Sequence, residues 1–386
     1  MSRTIFIAGS LAQTAYKGGL TWCFLQLLLG FQRLGWTVFF LDRLEPEMCV
    51  DENGRGANLD ESINLSYFLN VMRAFGFENR FSLSYDKGQR TIGLPRKVVL
   101  DQVAGAAIIN VMGFVNDEEI LGRAQRRIFF DIDPGFGQMW CDLKLHNAFA
   151  GYDDFITLGQ NIGHANCAIP TCGLNWTTTP QPVVLDHWRS QPRHSAGAYT
   201  SIGAWRGPNA PIEYNGRTYG LRAHEFRKFM ALPSICVDSE FEMALDIHPA
   251  DAQDINVLRD NRWLLVDPKD VAAGPAQYRN YIAGSKAEFM VPKQIYVDTN
   301  SGLLSDRSAY YLASGRPVLA RDTGLGNLYP TDEGLVTFST LEEAAAGVER
   351  INRDYAKHAR AARAIAEEYF DSDKVLSSLL KNLSIN

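Results

Sequence analysis

The chain has 386 residues, of which 46% are hydrophobic, and this is enough to build the cores of two globular domains. Its formal net charge of −6 argues against a general nucleic-acid binder, because such proteins are usually basic. No early segment has the apolar core of a signal peptide, and no stretch has the roughly 20 apolar residues that an integral membrane segment needs. The six cysteines show no paired framework, so we expect reduced thiols and a cytoplasmic protein.

The first 42 residues predict a strand–helix–strand unit. Thr4–Ser10 is a β-branched and apolar strand, Leu20–Leu34 is an apolar helix, and Trp36–Asp42 is a second strand. Gly18 and Gly19 close the loop before the helix. They indicate either a tight turn or a backbone that must approach a ligand closely.

Two carboxylates mark the end of a later predicted strand, Arg126–Asp133. Asp131 and Asp133 are two residues apart, so both should project from the same face of the strand. Such a pair could hold a divalent cation, one member could act as a general base, or a carboxylate could simply cap the following turn. His164, in a glycine-punctuated loop after another predicted strand, is a lower-ranked candidate base.

A polar segment without periodicity, Asp186–Ala198, predicts a hinge between two domains. The α/β pattern then restarts with the strand Tyr199–Ala204, and Arg206 follows its carboxyl end. Lys286 and Lys293 lie beside a later predicted strand. Each of these three cations could pair with a phosphate or remain solvated.

The segment that follows carries most of the functional argument. It predicts a strand at Gln294–Asp298, a glycine-containing loop, a helix at Asp306–Ser314 and a strand at Pro317–Arg321. The start of this helix should present unpaired N–H groups, the positive end of the helix dipole and an N-cap serine, which together favour a phosphate. The candidate phosphate-binding residues here are Gly302, Ser305, Asp306, Arg307 and Ser308.

The run Ser301–Gly324, which contains the sequence LASGRPV at residues 312–318, resembles the donor-binding segment of GT-B-fold glycosyltransferases. The resemblance implies an α/β protein with two Rossmann-like domains that face each other across a cleft. Its acceptor-side domain would span residues 1–190, its donor domain residues 191–370, and a final helix at 371–386 could cross back to the first domain. The implied activity is transfer of a sugar from a nucleotide-diphosphate sugar, UDP or another, to an acceptor hydroxyl or amine. The sugar nucleotide would be a co-substrate, with no cofactor besides it.

The resemblance also implies where the chemistry lies. Asp133 is the preferred base on the acceptor side, with Asp131 beside it and His164 ranked below both. The donor would be bound by Gly18, Gly19, Arg206, one of Lys286 and Lys293, and the helix start at Gly302, Ser305, Asp306, Arg307 and Ser308. Such donors would stabilise the leaving nucleotide without a metal ion.

The chain departs from the pattern of many retaining GT-B enzymes, which carry two glutamates seven residues apart around this helix. Tyr310 stands where the second glutamate would be, and Gly302 lies near the first. Asp306 is then either a contact to donor hydroxyls or a favourable first-turn charge. The loss is compatible with an inverting mechanism.

Three alternatives remain compatible with the sequence. The chain could be a sugar-nucleotide epimerase or hydrolase on the same fold. It could be a metal-dependent transferase that uses Asp131 and Asp133, since Asp-x-Asp at a strand end also resembles the GT-A signature. It could finally be a non-catalytic protein that binds a nucleotide sugar.

Overall fold

A computed structural model describes residues 3–190 and 197–385. Residues 191–196 of the predicted hinge Asp186–Ala198, and with them the predicted domain boundary, lie outside the described residues. Within the described residues, no helix is long and apolar enough to cross a membrane.

The first sheet has eight strands, and its order reverses at its centre. In chain order the strands are β1 (Thr4–Ala8), β2 (Thr37–Leu44), β3 (Phe81–Tyr85), β4 (Arg90–Gly93), β5 (Ala107–Val111), β6 (Arg126–Asp131), β7 (Asp154–Thr157) and β8 (Trp176–Thr178). The helices of this part are α1 (Gly18–Arg33), α2 (Ile63–Ala74), α3 (Arg96–Val103), α4 (Glu118–Arg123) and α5 (Phe136–Asp142). The spatial order is β4-β3-β2-β1-β5-β6-β7-β8, with only β3 and β4 antiparallel. The reversal between β1 and β5 opens a crevice at their carboxyl ends, where ligands of such sheets bind.

A second, fully parallel sheet follows. Its part of the chain contains β9 (Tyr199–Ala204), the antiparallel hairpin β10 (Ile212–Tyr214) and β11 (Arg217–Tyr219), β12 (Phe241–Asp246), β13 (Leu264–Val266), β14 (Ala287–Met290), β15 (Val318–Arg321) and β16 (Leu335–Phe338). Its helices are α6 (Arg222–Phe226), α7 (Leu232–Ile235), α8 (Ala252–Asp260), α9 (Pro268–Val271), α10 (Pro275–Gly284), α11 (Gln294–Asp298), α12 (Asp306–Ala313), α13 (Leu341–Arg353), α14 (Tyr355–Ile365) and α15 (Ser372–Asn382). The strand order is β13-β12-β9-β14-β15-β16, so this sheet reverses between β9 and β14.

The strand predicted at Gln294–Asp298 is wrong, because these residues form the helix α11. Ile and Val favour strands in general, but tertiary packing overrides that preference here. Ile295 is fully buried, and its side chain lies against Gly135 at the start of α5. The short helix thus joins the second sheet to the first.

The two sheet units contact each other on both sides of a central cleft. The Gly18 N–H donates to the Ala272 carbonyl at 3.1 Å, and the Asn161 N–H donates to the Ser301 carbonyl at 3.1 Å. The final helix α15 packs on α1, where Leu376 lies against Gly30 so closely that a Cβ there would be 2.5 Å from its Cδ1. The carboxyl ends of the central strands of both sheets lie along the cleft between the two units.

Candidate active site

A cavity of about 1190 Å³ lies between the carboxyl edges of the two sheets. The first sheet contributes the β1–α1 loop and the end of β6, and the second contributes the ends of β9, β12 and β14 and the start of α12. Both topological reversals therefore open into the same cavity. This is the place where the fold predicts a ligand.

Two guanidinium groups lie together at the reversal of the second sheet. Arg307 Nη1 and Arg222 Nη1 both donate to the Ile202 carbonyl, at 2.7 and 3.2 Å. Arg307 also pairs with the buried Glu288 at 2.5 Å, whereas Arg222 donates its other nitrogens to Val291 and Ser201 and has no carboxylate partner among the described residues. Burial and the neighbouring Arg307 lower the pKa of Arg222 to about 9. This wall of the cavity thus carries two guanidinium groups but only one carboxylate, Glu288, so it has an excess of positive charge.

Gly203 makes this arrangement possible. A Cβ at Gly203 would lie 2.2 Å from Arg222 Nη1, so a larger residue would displace the guanidinium. The sequence analysis missed Arg222, because its helix α6 is short and the contact joins residues 20 apart in sequence. An acidic residue in the apolar strand β14, Glu288, was a signal that a buried cation must lie nearby.

The start of α12 differs from its expected form. The Ser305 hydroxyl caps no N–H group of the helix; it donates instead to Asp306 Oδ1 at 3.1 Å. The Asp306 carboxylate accepts from backbone N–H groups at the helix start, and burial raises its pKa. Because this carboxylate occupies the helix end, the cationic group at this position is the Arg307 side chain, whose Nη2 makes no hydrogen bond to the described residues. The prediction of a Ser305 N-cap is wrong.

Asp133 faces the cationic pair from the other wall of the cavity. Its Oδ2 accepts a hydrogen bond from Lys293 Nζ, and its Oδ1 accepts one from the Tyr296 hydroxyl. Both partners belong to the second sheet unit, so Asp133 is held across the cleft. The sequence analysis missed Tyr296 because it placed this residue on a strand instead of on α11.

Asp131 does not share this environment, so the expectation that both carboxylates project together is wrong. Strand β6 ends at Asp131, and the alternation that governs a strand no longer applies two residues later. Asp131 is buried and accepts from Gln138 Nε2 at 2.6 Å and Thr157 Oγ1 at 2.9 Å. Burial raises its pKa to about 6. Asp131 is therefore held by side chains of the first unit and does not line the cavity, whereas Asp133 does, and the catalytic role of Asp131 stays a prediction.

The remaining predicted residues divide between the cavity and other places. Gly18 and Gly19 line the cavity and pack on α10 and the segment before it, and Arg206 lies at its mouth in an exposed ion pair with Asp251. Four residues do not line it: Lys286, His164, Gly302 and Ser308.

Each of these four has a physical reason to be elsewhere. Lys286 precedes β14 and so lies at the opposite, amino edge of the sheet, with Nζ 5.7 Å from the Tyr199 ring centroid. His164 is exposed on its loop. Gly302 packs against Asn161, and Ser308 is fully buried on the inner face of α12. These four residues therefore do not line this cavity, and their site roles stay predictions. In the described parts of the chain, no group of three His, Cys, Asp or Glu residues could hold a metal ion.

A second buried carboxylate, Asp42, fixes the loop that leads into the cavity. It accepts from the Ala12 N–H at 2.7 Å and from Gln13 Nε2 at 3.3 Å. Burial raises its pKa from 3.8 to about 7. The folded protein therefore holds this proton in a pH range where the unfolded chain has released it, and the contribution of Asp42 to stability falls as pH rises from about 4 to about 7.

We expect Asp42→Asn to flatten the pH dependence of stability. The slope of the unfolding free energy against pH should become less negative by up to about 1.4 kcal/mol per pH unit. Urea denaturation of the variant and the wild type between pH 5 and pH 7 isolates this effect, because Asp131, whose pKa is raised to about 6, is present in both proteins and cancels in the comparison. The exposed Asp60, which pairs with Arg90, provides the control Asp60→Asn with no change of slope in this range. An unchanged slope in Asp42→Asn would contradict the assignment.

Comparison with known proteins agrees with this architecture. A family model described as glycosyl transferase-like matches residues 259–380, which include β14, α12 and Arg307. An alpha-glucosyltransferase solved with UDP-glucose and DNA containing an abasic site aligns over 99% of this chain and 98% of its own, with a TM-score of 0.60 and 11% identity. The protein has the GT-B fold. The prediction of two Rossmann-like units facing across a cleft is therefore confirmed.

Other GT-B structures match to a similar degree. HepE of Anabaena, in complex with UDP and glucose, gives a TM-score of 0.55 at 12% identity over 99% of both chains. AviGT4, a glycosyltransferase involved in avilamycin A biosynthesis, gives 0.54 at 12% identity over 98% of this chain and 96% of its own. Comparison with curated protein sequences gives no significant match.

Tyr310, which the sequence analysis placed at a glutamate position of many retaining GT-B enzymes, has a packing role in the structure. Its ring stacks on Trp188, with centroids 4.4 Å apart and planes 7° from parallel. Both side chains are buried, and neither lines the cavity. Tyr310 therefore joins α12 to the segment after β8.

Proposed function

We propose that the protein is a glycosyltransferase that moves a sugar from a nucleotide-diphosphate sugar to an acceptor hydroxyl or amine. The observation that carries this proposal is the opposition of two groups across one cavity. Arg307 and Arg222 form a cationic wall at the reversal of the second sheet, and Asp133 projects from the first sheet. A diphosphate is bound by cationic groups such as this wall, and the acceptor hydroxyl or amine needs a base such as Asp133 to take its proton.

The diphosphate would bind beside Arg307, whose Nη2 makes no hydrogen bond to the described residues. Charge grows on the leaving nucleotide as the glycosidic bond breaks, and a fixed cation in a partly buried site stabilises that charge strongly. Two guanidinium groups and Lys293 would supply this stabilisation without a metal ion. We therefore propose a metal-independent reaction, with the nucleotide sugar as co-substrate.

Asp133 would take the proton of the acceptor on the opposite side of the sugar. A base placed across the cavity from the leaving group suits a single inverting displacement. An inverting displacement is also compatible with the presence of Tyr310 where the resemblance to retaining enzymes would place a glutamate. The free state of all six cysteines supports a cytoplasmic location.

A thermal-shift screen of UDP, GDP, dTDP and CDP, with and without magnesium, tests the donor site. UDP is the first nucleotide to test, because two of the three matching structures described above contain UDP or UDP-glucose. A ligand at 100 times its dissociation constant should stabilise the protein by about 2.7 kcal/mol. We expect one nucleotide to raise the melting temperature equally with and without magnesium. If none of the four changes it, the proposed function is wrong; a shift that needs magnesium contradicts only metal independence.

A further inference from the structure

We propose that Lys293 couples donor binding to release of the catalytic base, by exchanging Asp133 for the donor diphosphate. This inference rests on the proposed function, since it needs both a nucleotide donor and a base. Lys293 then has two successive partners, first the Asp133 carboxylate and then a phosphate of the donor. Asp133 then becomes available only after the donor is bound.

The two groups that donate hydrogen bonds to Asp133 differ in how easily they can move to another partner. Tyr296 is neutral and almost fully buried on α11, so its hydroxyl is fixed to Oδ1. Lys293 carries a charge, and its side chain and that of Asp133 are 18% and 26% exposed, so their contact opens to the cavity. An ion pair that is in contact with solvent is generally weak, so a pair that opens to the cavity can be exchanged for a stronger one.

Lys293 is also close to the cationic wall along the chain. The Val291 carbonyl accepts from Arg222 Nε at 3.1 Å, and Lys293 follows two residues later, at most about 7 Å of backbone away. Arg222, Arg307 and Lys293 line the same cavity. A diphosphate at this wall presents more negative charge to the ammonium group than the single carboxylate of Asp133 does.

The exchange has a defined chemical consequence. While Lys293 donates to Oδ2, its ammonium group occupies one of the two acceptor positions of that oxygen and competes with the acceptor hydroxyl for it. After the exchange, Asp133 Oδ2 takes the proton of the acceptor hydroxyl, while the oxygen of that hydroxyl forms a bond to the anomeric carbon of the donor sugar. The bond from that carbon to the phosphate oxygen breaks, and its electron pair leaves with the nucleotide diphosphate, now contacted by Lys293.

Calorimetric titration with UDP tests the exchange through four proteins: the wild type, Asp133→Asn, Lys293→Met and the double variant. If Asp133 and the diphosphate compete for Lys293, Asp133→Asn should bind UDP about three- to fivefold more tightly than the wild type. Lys293→Met should bind it more weakly. In the Lys293→Met background, Asp133→Asn should change the affinity by much less, because the competition is gone.

Asp142→Asn is the control, since Asp142 also contacts the second unit across the cleft, where it accepts from the Tyr214 hydroxyl at 2.8 Å, but does not line the cavity. An equal gain in this control would assign the effect to loosened domain contacts and overturn the inference. An unchanged or weaker affinity in Asp133→Asn, or the same gain with and without Lys293, would also overturn it. If UDP binds the wild type but shows no such coupling, only this inference fails. If none of the four screened nucleotides binds any of these proteins, the proposed function fails with it.

Discussion

Asp133→Asn should lower the turnover number by about 10²–10⁴-fold, the range expected for loss of a general base. The amide keeps the size of the carboxylate and can still accept from Tyr296, so the cavity should retain its shape. It cannot take the proton of an acceptor or of water. The measurement is the rate of nucleotide release from the nucleotide sugar at saturating donor, in a coupled assay.

The chain offers a matched control for this substitution. Asp142 is another aspartate of the first unit that contacts the second across the cleft, where it accepts from the Tyr214 hydroxyl at 2.8 Å, but it does not line the cavity. Asp142→Asn should leave turnover within about twofold of the wild type, as expected for a surface hydrogen bond. Near-wild-type turnover in Asp133→Asn would remove Asp133 from the mechanism and leave the cavity without its assigned base.

The sequence was sufficient for the architecture because local patterns report local structure. The strand predicted at Tyr199–Ala204 has the same bounds as β9, and alternation of strands with helices predicts parallel sheets. Arg307 lies at the cavity because the predicted helix start at Asp306 is correct, although the strand predicted before it, Gln294–Asp298, is a helix. These conclusions need no knowledge of which distant residues touch.

The rest of the site depends on contacts between distant segments, which periodicity does not encode. Arg222 matters because it reaches Ile202 beside Gly203, and Tyr296 matters because α11 carries it to Asp133 on the other unit. Asp131 and Asp133 are two residues apart but have different surroundings, since the strand ends between them. Ser305 was expected to cap its helix, yet Asp306 competes successfully for the same N–H groups. Such competition is decided by geometry that only the folded chain supplies.

Arg307→Gln should impair both stability and donor binding, and the two effects can be separated. The Arg307 side chain is 14% exposed and its partner Glu288 is fully buried, so removing the cation leaves an uncompensated buried carboxylate. Breaking such a pair from one side costs about 3–5 kcal/mol. Urea denaturation should therefore show a large loss of stability in this variant, and titration with UDP should show no binding at concentrations that saturate the wild type.

The double variant Arg307→Gln with Glu288→Gln distinguishes a binding residue from a structural one. With the buried charge also removed, most of the lost stability should return, because two amides can pair without an isolated carboxylate. Nucleotide binding should not return, since no cation then remains at the position of Arg307. Glu288→Gln alone should keep binding, because Arg307 still donates to Ile202. Binding by the double variant at wild-type affinity would show that Arg307 serves only to neutralise Glu288, and the diphosphate would then have to bind at another part of the cavity.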